Sequence, residues 1–198
     1  MSTLYGLVLA GGRSTRMGRD KAAVAWHGRP ALERAFELLS ACTERAFVSL
    51  RAEQAGDPLR TALPHLVDGV AGQGPIAGIA SAQAAHPEAA WLVLACDLPF
   101  VEAGTLRHLI GRRDPASLAT AYRSAHDGLP EPLCAIWEPA SRGPVLGFIG
   151  EGRHCPRKFL IMSGATLVDL PDPQALDNVN TPVELEAARS ALSARGAA

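Results

Sequence analysis

Tyr5-Gly-Leu-Val-Leu9 is a short apolar run that ends abruptly at Ala10-Gly11-Gly12. A continuous apolar stretch of this length reads as a strand buried on both faces, and the small residues after it as a tight loop. The next signals are helical. Pro30 stands where a helix starts, and Leu32, Phe36 and Leu39 recur at helical spacing through Ala41. A second strand is expected at Ala46 to Leu50. The pattern then repeats: Pro75 opens a small-residue helix through Ala85, and Trp91-Leu-Val-Leu-Ala95 is another buried strand that ends at Cys96-Asp97. Further helices are expected at Thr105 to Gly111 and Ala140 to Ile149, with strands near Leu118 to Tyr122, Leu133 to Trp137 and Thr166 to Leu170. This alternation predicts an α/β fold, a single-domain doubly wound and mostly parallel sheet with helices on both faces, in which ligands bind outside the carboxyl ends of the strands.

Thr181-Pro-Val-Glu184 carries the clearest helix start, with a hydroxyl at the cap, proline in the first turn and a glutamate placed to complete a capping box. That helix is expected to run to about Ser193, which gives one domain over residues 1–194 and a frayed tail over 195–198. The stretches Ser124 to Pro132 and Gly150 to Pro156 read as surface loops. A chain of 198 residues with 47% hydrophobic content is long enough for one sizeable core. Lys and Arg number 19 against 20 for Asp and Glu, so the net charge of -1 supplies no whole-chain attraction to nucleic acid or to an anionic membrane. Cys42, Cys96, Cys134 and Cys155 are scattered with no CxxC pair, and read as reduced thiols. No basic-then-apolar leader precedes the first strand and no run approaches the roughly 20 apolar residues of a membrane helix, so the expected location is cytoplasmic.

The run from Leu9 to Lys21, LAGGRSTRMGRDK, combines three glycines, three arginines and a lysine directly after a buried strand. Glycines let backbone N–H groups turn toward an anion without a Cβ in the way, and Arg16 and Lys21 suit charge spread over phosphate oxygens. The alternative is a tight loop whose basic residues only keep it soluble, and Arg13 and Arg19 fit that description best. A Walker A loop (GxxxxGK followed by Ser or Thr) and the dinucleotide fingerprint GxGxxG are both absent. On these residues the chain resembles the molybdenum cofactor guanylyltransferases, the MobA-like nucleotidyltransferase family, whose signature is LAGGxxxRMGxDK. The resemblance implies a Rossmann-like nucleotidyltransferase fold, with Leu9, Ala10, Gly11 and Gly12 contacting the nucleotide and Arg16 and Lys21 holding the triphosphate.

Asp97 follows the strand Trp91 to Ala95 at the end where a doubly wound sheet places its ligands. One carboxylate plus substrate phosphates is an adequate ligand set for magnesium, although an Asp before Leu-Pro equally caps a turn. Cys96-Asp-Leu-Pro-Phe100 is similar to the family's CDxPF segment, which implies that Asp97 is the ligand for a Mg2+ cofactor. Asp68, after His65-Leu-Val67, matches a family position that contacts the guanine nucleotide. Gly74-Pro-Ile-Ala-Gly78 resembles the family's GPLAG segment, where small residues let the base and ribose approach the backbone; read alone, it is a closely packed helix start. The resemblance also implies GTP over CTP, because Gly12 and Gly74 to Gly78 match the LAGG and GPLAG of the guanylyl branch, whereas the related cytidylyl branch has LAAG and a different second segment. Asp177-Asn-Val-Asn-Thr-Pro182 is similar to the family's NVNTP signature, so Asn178 and Asn180 become candidates for substrate phosphate or pterin, while a polar turn before a helix needs the same residue types anyway.

The resemblance implies transfer of GMP from GTP to the phosphate of molybdopterin, with Arg16, Lys21 and Asp97 as catalytic residues and with molybdoenzymes or other cofactor-pathway proteins as further partners. It is thinnest between Tyr122 and Gly164, where Glu131 stands in place of the His or Gln expected before Pro132. Arg153, Arg157 and Lys158 are candidates for a molybdopterin phosphate or are simply solvated loop cations. The six histidines show no metal spacing. Two other readings stay open: a cytidylyltransferase or other small NTP transferase, and a non-catalytic nucleotide-binding module. The second does not require Arg16, Lys21 and Asp97 together.

Overall fold

The computed structural model describes residues 2–10, 20–26, 28–69 and 73–196. In chain order its elements are β1 (Leu4–Leu9), the short strands β2 (Ala25–Trp26) and β3 (Arg29–Pro30), α1 (Ala31–Ser40), β4 (Arg45–Leu50), α2 (Pro58–Thr61), β5 (His65–Val67), α3 (Pro75–Ala85) and β6 (Ala90–Ala95). There follow α4 (Ala103–Gly111), β7 (Ala119–Arg123), β8 (Pro130–Trp137), α5 (Arg142–Gly150), α6 (Pro156–Met162), β9 (Thr166–Asp169) and α7 (Pro182–Gly196). Seven strands form one sheet in the order β5-β4-β1-β6-β8-β7-β9, and β2 pairs with β3 in a separate ribbon.

Four of the six pairings in the large sheet are parallel: β5 with β4, β4 with β1, β1 with β6, and β7 with β9. The exception is β8, antiparallel to both β6 and β7. Its direction follows from its connection, because the short turn after β7 is long enough for a hairpin and too short for a crossover.

Alternation along each strand divides the core in two. On β1 and β6, Val8, Leu92 and Leu94 face α1 and α4, where they pack with Leu32, Leu39, Leu106 and Leu109. Leu7, Trp91 and Val93 point the other way, onto Ile76 and Ile79 of α3, Phe148 of α5 and Phe159 of α6. Strands buried on both sides have no polar face to show, which is why they read as unbroken apolar runs. A third cluster joins α7 to the β2–β3 ribbon through Val24, Trp26, Leu185 and Ala188.

The mostly parallel sheet covered on both faces agrees with the sequence reading, and four details differ. Pro130 and Pro132 belong to β8 and not to a loop. Pairing of β8 with β6 begins only at Cys134, opposite Leu94, and its register with β7 shifts beyond Ala121. Both prolines therefore lie where a missing N–H breaks no β6 ladder bond. Pro156, read as the end of a loop, occupies the first turn of α6, where proline's fixed φ suits a helix start. The last helix continues through Gly196, past Ser193. Short elements carrying little periodicity, α2 and the β2–β3 ribbon among them, were not anticipated. All four cysteines are free. Among the described residues no helix is long and apolar enough to cross a membrane.

One close helix-to-sheet contact is at Gly6, where an added Cβ would lie 2.8 Å from Leu39 Cβ and 3.1 Å from Thr43 Oγ1. A clash with the root of a side chain cannot be relieved by a rotamer change. Gly6→Ala should therefore destabilise the fold by about 1–3 kcal/mol, the usual cost of overpacking. Urea denaturation checks this, and an unchanged midpoint would show that α1 is free to move away from β1.

Candidate active site

Because β5, β4, β1 and β6 run parallel, their carboxyl ends share one edge of the sheet, and Asp68, Arg51, Ala10 and Cys96 are the residues that directly follow them. From β1 the chain goes outward through α1 to β4, and from β5 it returns through α3 to β6 on the opposite flank of β1. The strand order reverses between β1 and β6, which opens a crevice at that point. Leu9 pairs with Ala95 there, so Ala10 and Cys96 leave the sheet side by side.

Lys21, Asp97 and Asn180 meet at this crevice. Lys21 Nζ lies 2.9 Å from Asp97 Oδ2 and donates to Asn180 Oδ1 at 2.5 Å, across sequence separations of 76 and 159 residues. The Lys21 and Asp97 side chains are each 19% exposed, enough to shield the charges from bulk water while leaving them accessible. Each is presented by a local device. Lys21 opens a 3-10 turn whose cap is Asp20, the carboxylate accepting from Ala22 N at 3.1 Å. Asp97 stands two residues beyond β6, and its carbonyl accepts from Val179 N at 3.1 Å, which ties the 178–180 segment to the crevice. The predicted capping box closes the arrangement: Thr181 Oγ1 accepts from Glu184 N, and Glu184 Oε2 accepts from the N–H groups of Thr181 and Asn180.

A second cluster lies one and two strands away. Asp68 Oδ1 accepts from Ser49 Oγ at 2.7 Å, and Asp68 N donates to Leu50 O at 2.8 Å. Ser49 is itself wedged against α3, since a Cβ at Gly78 would run into Ser49 Oγ and come within 3.0 Å of Leu9 Cδ2. Gly78 is thus required for α3 to approach the ends of β1 and β4. Gly74 caps that helix at φ 67°, a conformation favouring glycine. Burial pushes the Asp68 carboxyl above its ordinary range, outweighing the Ser49 hydrogen bond and the Arg51 charge that favour ionisation. Burial and the adjacent Asp97 charge push the Cys96 thiol up to about 12, so it is no thiolate nucleophile at neutral pH.

On the other side of Asp97 lies a cavity of about 560 Å³, between β8 and α7 and lined by Asp97, His126, Arg157, Asn178, Glu184 and Ala188 among others. Arg157 and Lys158 are on α6 and not on a loop, because Pro156 starts a helix there. Only Arg157 lines the cavity, where it donates to Asp127 and Glu131, both at 2.9 Å. Lys158 is exposed, and Arg153 pairs with Glu151 and sits over the Phe148 ring. His126 Nε2 is 2.8 Å from Asp177 Oδ1 at the cavity wall.

Of the residues singled out in the sequence, Lys21 contacts both Asp97 and Asn180. Asp68, Leu9 and Gly78 gather around Ser49, while Asn178 is exposed at the cavity. Gly11, Gly12 and Arg16 lie outside the described residues. Sequence reasoning missed Ser49, Asp20, Arg60 and the Arg157–Glu131 pair. Asp57-Pro58 is a readable helix start for the element that carries Arg60, whereas its burial and the other pairings arise from contacts between distant segments. Among the described residues no group of three or more His, Cys, Asp or Glu forms a protein-only metal site. The donors present fit a hard cation that takes most of its ligands from water and phosphate, with Asp97 as the protein's carboxylate.

Because folding raises the Asp68 pKa, this group's contribution to stability is present below about pH 4 and is lost as pH rises through the raised folded value. Ionised Asp68 is therefore a cost at neutral pH. Asp68→Asn keeps an oxygen to accept from Ser49 and should raise Tm at pH 7 while leaving it nearly unchanged at pH 3.5. A variant melting lower than the parent at pH 7 would contradict this account.

Residues 6–165 match the MobA-like NTP transferase domain family. The chain is 37% identical over 180 residues to the molybdenum cofactor biosynthesis bifunctional protein of Synechocystis sp., a match covering 90% of the chain and 52% of that protein, so the chain spans about half of its length. It is 31% identical to a probable molybdenum cofactor guanylyltransferase of Trichormus variabilis (93% of the chain, 90% of the relative) and 32% identical to the molybdenum cofactor guanylyltransferase of Cereibacter sphaeroides (96% and 97%). The crystal structure of molybdopterin-guanine dinucleotide biosynthesis protein A from Archaeoglobus fulgidus superposes with a TM-score of 0.80 at 24% identity, covering 96% of this chain and 98% of that one. The parallel sheet, its switch-point crevice and the sequence matches agree, and the chain belongs to the family of MobA-like nucleotidyltransferases.

Proposed function

We propose that this nucleotidyltransferase moves GMP from GTP to the phosphate of molybdopterin, forming molybdopterin guanine dinucleotide and releasing pyrophosphate. The observation that carries the reading is the convergence of Lys21, Asp97 and Asn180 at the crevice between β1 and β6. The names of the relatives support the acceptor, and the cavity beside Asp97 is large enough to seat a pterin-sized group.

In the proposed reaction an oxygen of the molybdopterin phosphate attacks the α-phosphorus of GTP. A new P–O bond forms, the bond between the α-phosphorus and the bridging oxygen breaks, and pyrophosphate leaves with the electron pair. The attacking phosphate is already anionic, so no side chain has to remove a proton. Catalysis then rests on alignment and on offsetting charge at the pyrophosphate. Lys21 would bring its cation to the β- and γ-phosphates; in the structure it is paired with the Asp97 carboxylate and donates a hydrogen bond to Asn180 Oδ1. Asp97 would hold Mg2+, which when bound spreads the negative charge of the triphosphate. Arg16 adds a second cation to the phosphates. Leu9, Ala10, Gly11 and Gly12 give the nucleotide a close backbone surface. Asp68 accepts from the guanine nucleotide beside a helix kept close by Gly78. Asn178 lines the cavity offered to the acceptor, Asn180 stands beside Lys21 where it can meet substrate phosphate, and cofactor-pathway proteins in the cytoplasm would deliver the substrate and take up the product.

Pyrophosphate release with GTP, Mg2+ and molybdopterin tests the reaction directly. Lys21→Ala and Asp97→Ala should each lower turnover by roughly 10²- to 10³-fold or more with folding intact by circular dichroism, the scale of removing one preorganised electrostatic contact. Parent-like turnover in either variant would overturn these roles. Faster release with CTP than with GTP would assign the donor to cytidine, and no release with any acceptor would favour a binding module.

A further inference from the structure

Arg60, on α2, is a buried cation with no part in the chemistry above, its side chain only 2% exposed. A guanidinium is removed from water at small net cost only when its donors are all met. Nε and Nη2 both donate to the Ala10 carbonyl, at 3.2 and 3.0 Å. Nη1 and Nη2 grip the two oxygens of Asp20, at 2.7 and 2.9 Å, as a bidentate pair. Nη1 also donates to Asp57, whose other oxygen caps α2 by accepting from Leu59 N.

The identity of these acceptors matters more than their number. Ala10 is the first residue past β1, and Asp20 immediately precedes Lys21, so one planar fork fixes the two points of the chain on either side of Gly11–Arg19. Asp20 passes the constraint on, because the Oδ1 that receives Arg60 also accepts from Ala22 N and so shapes the turn that presents Lys21 to Asp97 and Asn180. A lysine at position 60 would carry the charge without the fork.

Resting on the nucleotidyl-transfer reading above, we infer that Arg60 is a positioning residue, which holds the Ala10 carbonyl and the Asp20 carboxylate at a fixed spacing and thereby sets Lys21 for the phosphates of the nucleotide. Through Asp20 its influence falls on the phosphate side of the site, whereas the Asp68–Ser49 hydrogen bond on the base side does not involve it.

Titration calorimetry with three probes separates this role from general destabilisation: GTP with Mg2+, inorganic tripolyphosphate with Mg2+, and guanosine. Arg60→Met, Arg60→Lys and Asp20→Asn should each weaken GTP and tripolyphosphate by about tenfold or more, equally within error, and leave guanosine unchanged. The double variant Arg60→Met/Asp20→Asn should be no worse than the weaker-binding single variant, as coupled groups require. In pyrophosphate release kcat should fall with Arg60→Met, and Arg60→Lys should restore melting temperature without restoring kcat. Equal weakening of all three probes, or GTP affinity within twofold of the parent in a folded Arg60→Met protein, would overturn the inference. If Arg60→Met does not fold, Asp20→Asn decides, since Asp20 is 41% exposed; unchanged tripolyphosphate binding there would overturn it equally. A parent protein that binds GTP but transfers nothing to any acceptor overturns the proposed reaction and not the role of Arg60, whereas one that binds neither GTP nor tripolyphosphate overturns both.

Discussion

Leu9 pairs in parallel with Ser49 on one side and with Ala95 on the other, and this doubly parallel setting of β1 governs what lies beyond its end. Parallel neighbours deliver their following residues to the same edge, so Ala10, Arg51, Asp68 and Cys96-Asp97 emerge together without any local signal directing them there. The crossover through α1 leads from β1 to β4 on one flank and the crossover through α3 leads from β5 to β6 on the other, and the crevice between β1 and β6 is where Lys21 reaches Asp97. Core packing maintains this geometry. Leu7 and Val8 are both wholly buried, one in each core layer, so a one-residue slip of β1 would exchange the layers and displace the site edge together.

Charge at that edge is distributed in two ways. Lys21 and Asp97 are partly shielded and face each other, an arrangement that leaves the lysine within reach of an arriving anion. Arg60 is sealed below the surface with its donors spent on Asp20, Asp57 and a backbone carbonyl, an arrangement that fixes shape. Lysine is suited to the first role as a point charge on a flexible stem, and arginine to the second as a rigid fork. Asp68 shows the opposing pressure: burial disfavours the charge of this acid, so its ionised form gives up stability.

The half of the sheet beyond β6 is built differently. There β8 runs antiparallel, β7 and β9 extend the sheet, and α7 folds back so that Val179 meets Asp97 and Leu185 and Ala188 pack on Trp26. One wall of the large cavity is thus supplied by the last tenth of the chain, and another by the β7–β8 turn and α6. Glu131, in place of the expected His or Gln, is a partner of Arg157 there and gives this side of the crevice a local charge balance of its own.

What the sequence determined by itself was the part of the structure written in local periodicity and composition. Unbroken apolar runs marked β1 and β6, the Pro75 to Ala85 stretch marked α3 to the residue, and Thr181 with Glu184 announced the start of α7. Lys21, Asp68, Asp97 and Asn180 were legible as site candidates because glycine-rich, acidic and amide segments follow strands, and because those segments resemble a known family. The tertiary structure alone decided the direction of β8, the helical state of 156–162, the burial of Arg60 and the contacts joining Lys21 to Asp97 and Asn180. The physical reason is common to all of these. Strand direction, burial and ion pairing depend on which distant segments share an edge, and the energy that fixes them comes from the sheet pairing and the two core layers, not from the residues beside them in the chain.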